Sequence, residues 1–176
     1  VREVTDREKL EQFMVSLARD AREDARVYLV GGATAVLYGW RATTVDVDLK
    51  LVPELDDMMR NIPALKERLR VNVELASPSD FIPVAENWMD RSPFVVRYGR
   101  VAYHHFDLNA QALAKIERDH RQDRSDVVAM LARDLVTSET LSAYFAAIEP
   151  QLYRYPAIDP ASFKMRVERA IEGCRR

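Results

Sequence analysis

Apolar positions along the chain recur with two periods, and the change between them sets the order of elements. Leu10, Phe13, Met14, Leu17 and Ala18 follow i, i+3, i+4, i+7 and i+8, which predicts an amphipathic helix. Thr5 with Glu8 offers a capping box ahead of it. Residues 26–30 read as a strand, β-branched and aromatic-rich, that stops at Gly31-Gly32. Residues 33–38 read as a short helix and residues 45–52 as a second strand. Pro53 and Glu54 open a helical stretch with Leu55, Met58, Met59 and Ile62 on one side, and Pro63 is expected to kink or split it before Leu69. Residues 71–75 read as a third strand, followed by the loop Ser77-Pro78-Ser79-Asp80. Residues 93–96 and 101–108 read as a hairpin bent at Tyr98-Gly99.

From Asn109 the pattern is helical throughout. Leu113, Ile116, Val127, Met130, Leu131 and Leu135 supply apolar positions, and Leu141, Tyr144, Phe145 and Ile148 form another stripe. Asp159 is expected to cap a last helix that has Pro160 at its first position and carries Phe163, Val167 and Ile171. The expected fold class is α+β. A mixed sheet with flanking helices occupies residues 1–110, and a C-terminal helical portion occupies residues 111–176. That portion is expected to pack on the sheet, because no Gly/Ser-rich or Pro-rich linker lies at the join.

Composition narrows the class without naming a partner. The 48% hydrophobic content of the 176 residues is ample for a packed core. With 26 Lys and Arg against 28 acids, the formal net charge of -2 does not announce a nucleic acid. Cys174 is the one cysteine, which excludes an internal disulfide framework and suggests a reducing compartment. No apolar run reaches the roughly 18–20 residues of a membrane span. The start, Val1-Arg2-Glu3, is polar and shows no secretory signal. A soluble, cytoplasmic protein without membrane contact is the expectation.

The candidate chemistry lies in Val30-Gly31-Gly32, thirteen intervening residues, then Asp46-Val47-Asp48-Leu49. Asp-x-Asp alone is weak in a chain with this many acids, and solvated strand carboxylates are its plain alternative. On a strand, however, Asp46 and Asp48 share one face while Val45, Val47 and Leu49 point to the other. Two parallel carboxylates repel unless a positive group joins them. Mg²⁺ or Mn²⁺ answers that need, taking oxygen ligands while retaining substrate phosphates. A strand ending in Gly-Gly at a helix start lets backbone N–H groups approach an anion. The alternative there is a tight turn that simply needs glycine. Arg41, just before the acids, is either a bidentate phosphate donor or a surface arginine.

These residues resemble the signature of the nucleotidyltransferase superfamily: an apolar residue, Gly, Gly or Ser, nine to thirteen residues, Asp, an apolar residue, then Asp or Glu. Val30, Gly31, Gly32, Asp46, Val47 and Asp48 match it at the upper limit of spacing, with Gly-Gly in place of the frequent Gly-Ser. The resemblance implies a nucleotidyltransferase-like sheet and an NTP substrate held at Gly31, Gly32 and Arg41. It implies metal ligands Asp46 and Asp48 and a third carboxylate on a later strand. Asp107, about sixty residues on, is the candidate, with a helix-start acid as its alternative. His105 is expected to share its strand face as a packing residue, and His104 and His105 lack any zinc spacing.

Lys115, followed by Arg121-Gln122-Asp123-Arg124-Ser125-Asp126, is similar to a later motif of toxin–antitoxin nucleotidyltransferases, notably the abortive-infection type IV toxins. The resemblance assigns Lys115 to nucleotide handling and, on looser spacing, Asp123 or Asp126 to the site. A solvated charged face, with Asp123 and Asp126 capping a helix, is the alternative. Residues 80–91, through Trp88 and Arg91, also look like small bacterial members. The resemblance spans about residues 26–135. It implies transfer of a nucleoside monophosphate to a tRNA end, a protein side chain or a small molecule, with a tRNA or protein acceptor first, and a possible cognate toxin or antitoxin. Two rivals stand beside it. One is a non-catalytic antitoxin or binding partner on the same fold, which has no need of three carboxylates. The other is an unrelated α/β domain with a glycosyltransferase or calcium Asp-x-Asp; the first needs a longer chain and the second closer oxygen ligands.

Overall fold

The structure, a computed structural model, describes residues 3–173, so Cys174 lies outside the described residues. Its contacts divide the chain into two units: Val1–Ser77 with Ser92–Phe106, and Pro78–Arg91 with Asp107–Arg176.

The first unit holds β1 (Thr5–Asp6), α1 (Arg7–Arg19), β2 (Ala25–Val30), α2 (Gly32–Tyr38), β3 (Thr43–Thr44), β4 (Asp46–Val52), α3 (Asp56–Leu69), β5 (Asn72–Glu74), β6 (Phe94–Tyr98) and β7 (Val101–His105). Five strands form a mixed sheet in the order β5-β4-β2-β7-β6. β2 is antiparallel to β4 and parallel to β7, β4 is parallel to β5, and β6 and β7 are antiparallel. The short strands β1 and β3 pair separately. Alternation builds one face of the sheet: Val27, Leu29, Val47, Leu49, Val73, Val101 and Tyr103 are all buried in one core. The stripe of α1, from Leu10 to Ala18, and Met58, Ile62 and Leu65 of α3 close over it. The Tyr103 hydroxyl crosses this core and donates to the Met14 carbonyl at 2.6 Å.

Several expectations are corrected in this unit. The cap of α1 is Asp6, whose carboxylate accepts from the Lys9 N–H at 2.9 Å, while Thr5 is held in β1 opposite Thr44. Pro63 does not split α3, which runs unbroken, with Met58 and Ile62 before the proline and Leu65 after it buried alike. A shared apolar seam runs through both halves although the proline supplies no N–H. The hairpin turns at Gly99-Arg100, where Gly99 takes φ 54°. β7 stops at His105, so Asp107 is not a strand residue and shares no strand face with His105.

The second unit is helical: α4 (Leu108–Arg118), α5 (Arg121–Ala132), α6 (Ser138–Ile148) and α7 (Pro160–Gly173), with 3-10 turns at Pro78–Asp80 and Glu149–Arg154. Its core comprises Leu113, Ile116, Val127, Met130, the whole Leu141–Ile148 stripe, Phe163 and Val167. Leu131 and Leu135 are only half-buried, and Val136 turns inward instead. Phe145 meets Phe163 edge-on, with ring centroids 5.0 Å apart. Asp159 caps α7 as expected, accepting from the Ser162 N–H at 2.7 Å. Segment 78–91 is fastened to these helices by two tyrosines. Tyr155 donates to the Ser79 carbonyl at 2.8 Å, and the Ala85 N–H donates to the Tyr144 hydroxyl at 2.9 Å. The fold is thus α+β. Among the described residues no helix is long and apolar enough to cross a membrane.

Candidate functional site

Asp46 and Asp48 stand on one face of β4, half-buried, while Val47, Leu49 and Leu51 are buried on the other. Register brings the rest of that face into line. Asp46 is opposite Asn72 and Asp48 opposite Glu74 on β5, while Val30 of β2 lies opposite Asp48 on the other side. The Asn72 side-chain amide donates to Asp46 Oδ1. Glu74 is exposed and adds a carboxylate beside Asp48.

The glycine pair comes against this face. Gly31 takes φ 60°, a left-handed conformation that favours glycine, at the turn from β2 into α2. A Cβ at Gly31 would stand 3.2 Å from Asp48 Oδ2. The turn and the second acid are therefore in near contact, although seventeen positions separate them in sequence. Gly32 is required for a different reason. A Cβ there would lie 1.9 Å from Thr44 Oγ1 and 2.6 Å from Thr44 Cβ, so only a residue without a side chain fits. Thr44 Oγ1 in turn donates to the Asp46 carbonyl at 2.9 Å. Arg41 reaches the same turn, with Nη1 3.5 Å from where that Cβ would be. One small region of the first unit thus gathers Gly31, Gly32, Arg41, Thr44, Asp46 and Asp48.

His105 packs behind this turn rather than in it. Its Nδ1 lies 3.0 Å from Thr34 Oγ1, its ring stacks on Tyr38 at 4.4 Å, and it is 5% exposed. Thr34 Oγ1 donates to the Leu29 carbonyl, so the imidazole Nδ1–H donates to the threonine. Burial, then His104 nearby, push the His105 pKa down to about 4, so the ring is neutral at pH 7.

The remaining candidates belong to the second unit, and each has protein partners there. Asp107 is the N-cap of α4, with Oδ1 accepting from the Asn109 N–H at 3.0 Å and Oδ2 from Arg91 Nε at 2.8 Å. It is 1% exposed. The Arg91 guanidinium also lies over the Tyr144 ring at 5.0 Å, and burial together with the Asp107 carboxylate pushes the Tyr144 pKa up. Lys115 is buried, its Nζ 2.7 Å from Asp126 and 3.6 Å from Asp123. Arg118 grips Asp123 with two bonds of 2.7 and 2.6 Å. Burial raises the Asp123 carboxyl, but the Arg118 hydrogen bonds and the Lys115 charge outweigh it and hold the pKa below the ordinary value. Asp123 also accepts from the His120 N–H, closing the capping box of α5.

Asn72, Glu74 and Arg91 were not legible as site neighbours. The first two are found only through the β4–β5 register, and the third through folding of segment 78–91 in the helical unit. Among the described residues no three His, Cys, Asp or Glu side chains are grouped as a ready metal cage. The donor chemistry of the β4 face, two carboxylates side by side, nonetheless suits a hard divalent ion that keeps waters and substrate oxygens as its other ligands.

A search of curated proteins and a search of solved structures each gave no match. A family model described as a nucleotidyltransferase of unknown function (DUF6036) matches residues 8–169, which include both strands of the Gly-Gly and Asp-x-Asp face and nearly all of the helical unit. On that match the chain belongs to this family of nucleotidyltransferases.

Proposed function

We propose that the protein transfers a nucleoside monophosphate from an NTP to a hydroxyl acceptor, releasing pyrophosphate, with the β4 face of the first unit as its catalytic surface. The observation that carries this reading is the near contact of Gly31 with Asp48, 3.2 Å from a built Cβ to the carboxylate. It sets a side-chain-free turn directly against a carboxylate pair. Asp46 and Asp48 would hold Mg²⁺ or Mn²⁺. Bound there, the metal ions would neutralise phosphate charge and lower the pKa of the attacking hydroxyl. Gly31 and Gly32 would admit the triphosphate close to the backbone, and Arg41 would meet its oxygens.

Asp107 as third carboxylate and general base, and Lys115 as a nucleotide contact, enter on the resemblance alone. Their ion pairs with Arg91 and with Asp126 give both a structural role as well. A tRNA end or protein hydroxyl as acceptor, and a toxin–antitoxin setting, rest on the same resemblance around Lys115 and residues 121–126. A cytoplasmic location follows the single cysteine.

The test incubates the protein with each α-labelled NTP, Mg²⁺ and either total RNA or cell lysate, beside Asp46→Asn and Asp48→Asn. Label should enter RNA or protein, and each variant should reduce it by at least about 100-fold. Transfer that survives in both variants would overturn the site. Mg²⁺-dependent NTP binding without transfer to any acceptor would point to a non-catalytic member of the family.

A further inference from the structure

The helical unit carries a groove that the nucleotidyl transfer reading does not use. It lies among α4, α5 and α7 and encloses about 260 Å³. Its floor is aliphatic: Ile116, Val127, Val128, Leu131 and Ala170. Val128 is 63% exposed, a branched side chain left in water on a helix whose other outward positions are mostly polar. The lining repeats at helical spacing, Arg124, Val127, Val128 and Leu131 on α5 and Arg166, Arg169 and Ala170 on α7, so two helix faces converge on one slot.

The rim is cationic and short of acids. Arg124, Arg166 and Arg169 line it, and Asp119 is the one carboxylate in the lining. Asp119 already serves two of the arginines, with Arg124 Nη1 at 3.1 Å and Arg166 Nε at 3.8 Å. Arg166 also donates to the Glu117 carbonyl at 2.6 Å. Arg169 has no ion-pair partner among the described residues. Lys115 contributes its stem to the wall, while its ammonium is committed to Asp126.

The lining also excludes one ligand class. It contains no aromatic ring on which a base could stack and no Ser, Thr, Asn or Gln to read a base or sugar edge. The floor matches a saturated chain, and the rim matches a single anionic head in the planar geometry a guanidinium prefers.

We infer that this groove binds a medium-chain aliphatic carboxylate, a fatty acid of about eight to ten carbons at the small end of ligand-pocket volumes. The tail lies along Val127, Val128, Leu131 and Ala170, and the carboxylate meets Arg169 beside Arg166. The inference is independent of the proposed transfer chemistry.

Calorimetry with the purified protein tests it, using decanoate below its micelle concentration, decanol and decylamine. Decanoate should bind at one site, decanol at least tenfold more weakly, and decylamine not at all. Arg169→Ala should weaken decanoate about tenfold, and Val128→Glu should abolish binding; both residues are exposed, and circular dichroism checks that each variant is folded. In methyl NMR the shifted resonances should be those of Val127, Val128 and Leu131. No decanoate binding at 1:1 stoichiometry, equal binding of decanol, or indifference to both substitutions would each overturn the assignment.

Discussion

Gly32→Ala tests how the glycine pair and the acids are joined. Gly32 is the first residue of α2 and has no left-handed φ, so alanine there is conformationally allowed. On propensity alone the change should stabilise by about 0.5–1 kcal/mol, since alanine restricts the unfolded chain and favours helix. Space reverses the sign. The new Cβ would meet Thr44 Oγ1 at 1.9 Å and Thr44 Cβ at 2.6 Å. Rotating the threonine relieves the first contact but forfeits its bond to the Asp46 carbonyl, worth about 1 kcal/mol. The second contact stays, because Cβ follows the backbone. Overpacking of this kind costs about 1–3 kcal/mol. The net expectation is a loss of about 1–3 kcal/mol, read as a lower urea midpoint at unchanged slope. A double-mutant cycle gives the sharper result. Thr44→Gly should recover stability in the Gly32→Ala background by at least about 1 kcal/mol relative to its effect alone, whereas Thr44→Ala should recover much less. Gly32→Ala as stable as the wild type, or an additive cycle, would refute the steric account.

His105 should make the fold acid-sensitive. Its folded pKa of about 4 lies below the ordinary 6.5, so the unfolded chain binds the proton first. Stability is full above about pH 6.5 and falls as the pH drops toward 4, by up to about 3 kcal/mol, and His105→Gln should lose that part of the slope in urea titrations at each pH. Lys115→Met should destabilise by about 3–5 kcal/mol, because it leaves the fully buried Asp126 and nearly buried Asp123 without the ammonium between them. Adding Asp126→Asn should recover part of that loss, and thermal melts of the single and double variants decide it.

Where one face of an element is buried, its pattern could be read directly. The α1 stripe, the α6 stripe and the alternation of Asp46, Val47, Asp48 and Leu49 are all as expected, since burial enforces the period. Ends were harder. Phe106 and Leu108 continue the apolar run of β7, so the strand looked longer than it is; yet Phe106 is buried after the last strand residue and Asp107 begins a helix. Asp6 and Thr5 are both good caps and both pair in β1, and only the bond from the Lys9 N–H to the Asp6 carboxylate decides between them. The signature residues foretold the approach of Gly31 to Asp48. Asn72 reaches Asp46 through the β4–β5 register, which depends on topology that no local pattern encodes, whereas Thr44 reaches the Asp46 carbonyl locally, two residues along the chain. The charged run at Lys115 looked alike as a solvated face or a site, and its burial depends on how α4 meets α5.

The hydrogen bond from Asn72 to Asp46 bears on which ions this face would accept. With one lone pair of Oδ1 taken by the amide, Asp46 favours meeting a cation through Oδ2, as a single-toothed ligand. Ca²⁺ favours high coordination numbers and two-oxygen carboxylate grips, whereas Mg²⁺ is satisfied by one oxygen per carboxylate and a rigid octahedron of waters. The amide of a neighbouring strand would thus act as an ionic sieve, turning a generic pair of acids toward the smaller ion.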